Sequence, residues 1–245
     1  MKRLGSLHIG TCGWHYKHWA GPFYPADSKS SAMLKIYTQQ FSSVEIDNSF
    51  YRLPSLSSLH RWKSETPDDF TFTCKASRYI THMKKLKDPA RSLPAFFERI
   101  GNLGDKLKVV VFQLPPRWRC NLERLEQFLA ALPSRYRCAF EFRDESWFNP
   151  AVYAALVNYG AAFCIYDLGG RRAPPEITSD FVYLRLHGPG KAYAGAYSPR
   201  RLAHLAAQIG DWRQDGLDIF VFFDNDAEGH APRDALRLKR LLERT

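Results

Sequence analysis

Eight polar side chains stand within or at the ends of short apolar runs in this sequence: Glu45, Asp47, Lys75, Gln113, Glu141, Arg143, Arg185 and His187. Their types suit chemistry on an anion. Lys75, Arg143 and Arg185 could hold a phosphate, while Glu45, Glu141 and His187 could move protons or bind one divalent metal. The two glutamates could instead be the carboxylate pair of a glycoside-type hydrolase, where the carboxyl separation sets the stereochemical outcome. Without an acid or base at a reacting atom, the same set would serve a non-catalytic binding protein for nucleic acid or a phosphorylated ligand. Converging charges are costly in an apolar interior unless they pair or serve a ligand. The structural counterpart is therefore a self-satisfied network, for instance Glu45 with Lys75 or Glu141 with Arg185.

These residues converge only if the runs that carry them are strands, because side chains on a strand alternate between two faces. In Phe181-Val-Tyr-Leu-Arg-Leu-His187 the aliphatics Val182, Leu184 and Leu186 pack one way, and Tyr183, Arg185 and His187 point the other. In Cys138-Ala-Phe-Glu-Phe-Arg143 the alternation sends Phe140 and Phe142 outward and Ala139, Glu141 and Arg143 inward. Val44 and Ile46 face out while Glu45 and Asp47 face in. Phe70 and Phe72 face out and leave Thr71, Thr73 and Lys75 inside. The first run places His8, Gly10 and Cys12 inward. Parity stays open for Ala162–Asp167, where Asp167 points with Phe163 and Ile165, and for Ile219–Phe223, which is apolar on both faces.

Eight such runs recur along the chain: Leu7–Cys12, Val44–Asp47, Phe70–Lys75, Val109–Gln113, Cys138–Phe142, Ala162–Asp167, Phe181–His187 and Ile219–Phe223. Helical patterns separate most of them, over Ser30–Phe41, Ser55–Glu65, Leu93–Leu103, Leu122–Ala131, Pro150–Tyr159 and Pro199–Arg213, and Arg233–Glu243 follows the last. Strands separated by helices pair in parallel, and eight units in 245 residues predict one α/β domain, a (β/α)8 TIM-type barrel over 1–245. An open doubly wound sheet would want a Gly-rich fingerprint after the first strand; none is present, and no nucleotide cofactor is indicated. The connection from Leu168 to Asp180 is too rich in Gly and Pro for a regular helix, so the sixth helix is expected to be short or missing.

Barrel active sites lie at the C-terminal ends of the strands, and the loops there are rich in aromatic and basic residues. Trp14, Lys17 and Trp19 follow the first strand, Phe50, Tyr51 and Arg52 the second, and Trp147 the fifth. Gly188, Gly190 and Lys191 follow the seventh, where barrels often bind phosphate. Trp14, Tyr51 and Asn225 join Lys75, Gln113, Arg143 and Arg185 as candidate substrate-binding residues, since aromatics beside cations suit stacking with phosphate contacts. Taken singly, each aromatic serves equally as a plug over the barrel end.

A formal net charge of +10 favours an anionic partner, including nucleic acid. Part of the excess lies on the solvated face of the last helix, at Arg233, Arg237, Lys239, Arg240 and Arg244. Five widely spaced cysteines without a C-x-x-C pair argue against a disulfide framework or structural zinc. Neither a signal core nor a run near the ~20 apolar residues of a membrane span is present. The expected compartment is the cytoplasm, with no membrane partner; nothing in the sequence sets an oligomeric state.

Several segments together make the chain resemble the YecE-like family, a domain of unknown function (number 72), from about Ile9 to the last helix. They are Gly10-Thr-Cys-Gly-Trp-His-Tyr-Lys-His-Trp-Ala-Gly-Pro-Phe-Tyr-Pro25, Val44-Glu-Ile-Asp-Asn-Ser-Phe-Tyr-Arg-Leu-Pro54, Ile80-Thr-His82, Val111-Phe-Gln-Leu-Pro-Pro116, Ala139-Phe-Glu-Phe-Arg143 with Trp147, Val182-Tyr-Leu-Arg-Leu-His-Gly188 and Phe223-Asp-Asn-Asp226. The resemblance implies a TIM-type barrel and carries no established activity; its likeness to phosphodiester-cleaving barrels is one of fold. The family commonly has Ser at Cys12 and His15, Asn at Asp224 and Tyr at His230, which weakens a Cys12–His15 nucleophile pair or a His230 ligand. A hydrolase acting on nucleic acid or another phosphate ester ranks first, the non-catalytic binder second and the glycoside-type hydrolase third.

Overall fold

The computed structural model describes residues 3–243; Arg244 of the basic last helix lies outside them. The alternating runs form β1 (Leu7–Thr11), β2 (Ser43–Ile46), β3 (Thr71–Lys75), β4 (Leu107–Gln113), β5 (Arg137–Glu141), β6 (Ala162–Leu168), β7 (Arg171–Arg172), β8 (Phe181–Leu186) and β9 (Asp218–Phe223). Hydrogen-bonded neighbours follow the order β1-β9-β8-β6-β5-β4-β3-β2, with β7 off that path. The pairings β1–β9, β9–β8, β6–β5, β5–β4 and β4–β3 are parallel, and a parallel bridge joins Cys12 to Glu45. This is the strand order of a (β/α)8 barrel.

The helices are α1 (Met33–Tyr37), α2 (Leu56–Glu65), α3 (Pro89–Ile100), α4 (Leu122–Ala130), α5 (Pro150–Asn158), α6 (Pro199–Gln214) and α7 (His230–Leu242). Side-chain caps start four of them: Ser55, Asn121, Asn149 and Ser198 each accept from the backbone N–H three residues on. Pro150 and Pro199 follow two of those caps, in the first turn where a missing N–H costs nothing. The first helix is shorter than its pattern suggested. It ends at Tyr37, and the Thr38 hydroxyl donates to the Lys35 carbonyl instead of leaving it to the helix. The last helix starts three residues before Arg233, because Pro232 is tolerated in a first turn.

After β6 the chain turns back at Gly169 and Gly170, both with positive φ, and β7 pairs antiparallel with the end of β6 (Asp167 opposite Arg172, Leu168 opposite Arg171). Two consecutive residues at positive φ match the twist of a tight hairpin, and only glycine takes that conformation freely.

The residues divide into two compact units. The first comprises the segment through Glu45, Ile165–Ala173 and the segment from Asp180; the second comprises Ile46–Cys164 and Pro174–Ser179. In the first unit Phe220 stacks on His8 (4.5 Å) and lies 6.2 Å from Tyr183, which also meets Phe222 at 5.5 Å. These contacts put Phe220 and Phe222 on the face of Tyr183, which fixes the parity of β9. In the second unit Phe112, Phe128 and Phe140 pack together between β4, β5 and α4, and Phe142 stacks on Trp147. All of these phenylalanines are buried, and each contributes about 1.5–3 kcal/mol relative to exposure.

Candidate functional site

The C-terminal ends of β2, β8 and β9 build a polar cluster within the first unit. Arg185, next to last on β8, has its guanidinium 2.7 Å from Glu45 Oε1, while the Tyr183 hydroxyl donates to Glu45 Oε2 at 2.6 Å. Arg185 also donates to Cys12 Sγ at 3.6 Å and lies 3.7 Å from Asp224 Oδ2. Glu45 and Arg185 are both fully buried. Just beyond β8, His187 Nδ1 lies 2.8 Å from Asp224 Oδ2. The predicted face is correct: Tyr183, Arg185 and His187 share one side of the strand.

A carboxylate on one ring nitrogen fixes both the tautomer and the orientation of a histidine, and leaves the other nitrogen to carry a proton. Backbone hydrogen bonds hold both partners. The His187 N–H donates to the Asp167 carbonyl (2.7 Å) and the Asp224 N–H to the Leu186 carbonyl (2.8 Å). His187 is only 1% exposed. The half-exposed ring of Tyr193 meets it edge-on at 5.6 Å, and Tyr166 at 6.5 Å.

The loop that carries Tyr193 is pinned from α7. Buried Asp234 accepts from the Tyr197 N–H and from the Asn225 amide, and that amide also donates to the Gly195 carbonyl. The Tyr197 hydroxyl in turn accepts from the Gly188 N–H. Gly188 has φ of 114°, and a Cβ there would fall 2.4 Å from the Lys191 carbonyl oxygen and 2.6 Å from that of Ala194. Lys191, expected near a phosphate position, is exposed on this loop.

Asp167, the penultimate residue of β6, is buried. Arg172 and Arg201 approach its Oδ2 at 3.4 and 3.5 Å, and Oδ1 has no hydrogen-bond partner. Burial raises its pKa above the usual carboxylate range, and the two arginines only partly offset that.

The second unit holds Asp47, Tyr51, Lys75, Gln113, Glu141 and Arg143. Lys75 Nζ lies 2.9 Å from Asp47 Oδ1 and 4.4 Å over the Phe50 ring. The Arg143 Nε donates to Glu141 Oε1, and the Cys164 thiol approaches Glu141 Oε2 at 3.9 Å. Gln113 ends β4 in register with Glu141. His82 meets Phe50 edge-on at 4.9 Å, with Nδ1 2.9 Å from the Thr81 hydroxyl. Burial first, then the charges of Lys75, Arg78 and Arg143, press its pKa from 6.5 down to about 4.

A family model described as "Protein of unknown function DUF72" matches residues 8–245. The chain belongs to that family. Among relatives, the UPF0759 protein YunF of Bacillus subtilis is 25% identical over 274 residues, covering 97% of this chain and 95% of its own. The UPF0759 protein YecE of Escherichia coli K12 is 27% identical over 158 residues, 63% of this chain and 54% of its own. A DUF72 family protein from Thermotoga maritima superposes with a TM-score of 0.89 at 31% identity, over 97% of this chain and 99% of that one. A D-psicose 3-epimerase from Clostridium cellulolyticum is similar in fold alone, with a TM-score of 0.55 at 11% identity.

Within this DUF72 chain the example pairings differ from expectation. Glu45 is held by Arg185 and Tyr183, Lys75 by Asp47, and Glu141 by Arg143. The metal alternative lacks an assembled ligand set: among the described residues no three His, Cys, Asp or Glu side chains group to hold an ion. Trp14 is buried, and its carbonyl accepts from Tyr24, as a plug would. Tyr51 is 72% exposed and lines a cavity. Asn225 is fully buried, and its amide serves the Tyr193 loop rather than an open surface. The residue that reasoning from sequence missed is its neighbour Asp224. The signal was the parity Phe220, Phe222, Asp224, unreadable where both faces of β9 are apolar.

Proposed function

We propose that this DUF72 protein is an acid–base enzyme that hydrolyses phosphate esters, with His187 as the proton-transfer group. The observation that carries this reading is the 2.8 Å contact between His187 Nδ1 and Asp224 Oδ2 at the end of β8, where barrel enzymes place their chemistry. Asp224 orients the ring, and the imidazole takes a proton from water and returns it to the leaving group. Arg185, tied to Glu45 and Asp224, sets the position of that carboxylate. The net charge of +10 favours an anionic substrate, nucleic acid included. All five cysteines remain thiols, which suits a reducing cytoplasm. No helix among the described residues is long and apolar enough to cross a membrane.

The glycoside-type alternative loses support, because both oxygens of Glu45 and both of Glu141 already have partners. The burial of His187 beneath Tyr193 favours a second reading, a binding protein without turnover. One experiment separates the two. Purified protein is given bis(p-nitrophenyl) phosphate, and short single- and double-stranded DNA and RNA at two salt concentrations, with and without added divalent metal. Turnover that disappears in His187→Ala supports the enzyme. Salt-sensitive binding with no product from any substrate overturns it in favour of the binder.

A further inference from the structure

The segment after β2 opens a cavity of about 600 Å³ within the second unit, between that loop and helices α2 and α3. This volume falls in the range of small-molecule sites. Arg52 and Arg99 line it together with Tyr51, Trp62, Ser55 and Asn48. Among the described lining residues none is acidic, and neither arginine is ion-paired to a described carboxylate. Arg99 makes one hydrogen bond, to the Pro54 carbonyl at 3.1 Å, which braces its guanidinium against the loop. Arg52 is exposed, and Tyr51 beside it holds its ring in solvent at 72% exposure, leaning edge-on against Phe50 at 5.0 Å.

A large aromatic side chain kept in water beside two guanidiniums that face no carboxylate is an arrangement suited to an external anion. Arginine recognises phosphate oxygens through paired N–H donors. A tyrosine face offers stacking to a flat ring. Seryl and amide groups at the wall suit hydroxyls such as those of a sugar. Lys75 and Arg143 in the same unit differ in kind, each being paired with a carboxylate.

We infer that this cavity binds a phosphomonoester joined to a flat ring, the chemistry of a nucleoside monophosphate, with Arg52 and Arg99 on the phosphate and Tyr51 on the ring. The inference stands apart from the acid–base reading of His187, since no residue is shared between them.

Isothermal titration calorimetry of the full chain with AMP, adenosine and inorganic phosphate tests it. AMP is expected to bind saturably and more tightly than either fragment. Arg52→Ala and Arg99→Ala each weaken AMP about tenfold or more, in line with losing a charge-assisted contact. Tyr51→Ala weakens AMP and leaves inorganic phosphate unchanged. Arg52 and Tyr51 are solvent-facing, so melting curves of those two variants should overlay the parent. A 5′-phosphorylated oligonucleotide that displaces AMP identifies a strand end as the source of the group; failure to displace identifies a free nucleotide. His187→Ala keeps AMP binding, which separates this site from the hydrolytic reading. No saturable binding of AMP, or binding unchanged in both Arg52→Ala and Tyr51→Ala, overturns the inference.

Discussion

Arg185 on β8 and Glu45 on β2 meet at 2.7 Å with neither side chain reaching solvent. The guanidinium also reaches Cys12 and Asp224, and Tyr183 takes the second oxygen of Glu45, so one cation ties together contributions from β2, β8 and the ends of β1 and β9. Breaking a buried pair from one side leaves the other charge without compensation. Arg185→Met is therefore expected to destabilise the fold by about 3–5 kcal/mol. The double variant Glu45→Gln/Arg185→Met should recover a measurable part of that loss. Urea denaturation of the two single variants and the double variant reads this coupling, and additive losses would exclude it.

The pair His187–Asp224 makes a separate prediction for activity. If phosphate-ester hydrolysis is found, His187→Ala should lower kcat by about 10²–10⁴-fold, the usual share of a positioned acid or base. Asp224→Ala should lower it as well and change the shape of the pH–rate profile. Asp224→Asn should restore part of the rate, because an amide oxygen still accepts from Nδ1–H. Equal losses in Ala and Asn would mean that orientation is not what Asp224 supplies.

His82 predicts a pH effect on stability. Its pKa is held at about 4 in the folded chain, against 6.5 ordinarily, by burial and by Lys75, Arg78 and Arg143. Between those values the unfolded chain binds the proton more readily, so acidification favours unfolding. This penalty is absent above about pH 6.5 and grows as the pH falls towards about 4. His82→Gln should flatten the dependence of Tm on pH over that window. An NMR titration of the His82 ring with a midpoint near 6.5 would contradict it.

Gly188 carries the fourth prediction. At φ of 114° any side chain is strained, and its Cβ would strike two carbonyl oxygens of the Tyr193 loop. Gly188→Ala should displace that loop and expose His187, seen as faster amide exchange over residues 188–198. Unchanged exchange would show that the loop has room the geometry does not reveal.

Much of this was legible from alternation alone. The strand Phe181–Leu186 separates aliphatic from polar residues one by one, so Tyr183, Arg185 and His187 could be placed on one face before any fold was known. The same held for Glu141 against Phe140 and Phe142. On β9 the sequence Asp-Ile-Phe-Val-Phe-Phe offers no polar face, so local pattern does not align Asp224 with the others. Pairing was the second gap. Strand parity says which residues share a face, but register and side-chain reach decide that Glu45 meets Arg185, and neither is written in local pattern. The hairpin at β7 was hidden because a Gly-Gly turn reads as loop unless the strand after it is longer than two residues.

The division of the chain into two units has a consequence for biosynthesis. Glu45 and Arg185 are 140 residues apart in the sequence, and the unit that contains both is interrupted by the whole of the other. As the polypeptide leaves the ribosome, Ile46–Cys164 is available for local assembly long before β8 and β9 exist. During that interval Glu45 has no guanidinium to receive it, and β1 lacks β9, its parallel neighbour. A stalled or prematurely released chain would thus carry an acid destined for the interior with nothing to neutralise it. Such a fragment would be a ready substrate for chaperones and proteases, and arrival of the last two strands is what ends that vulnerability.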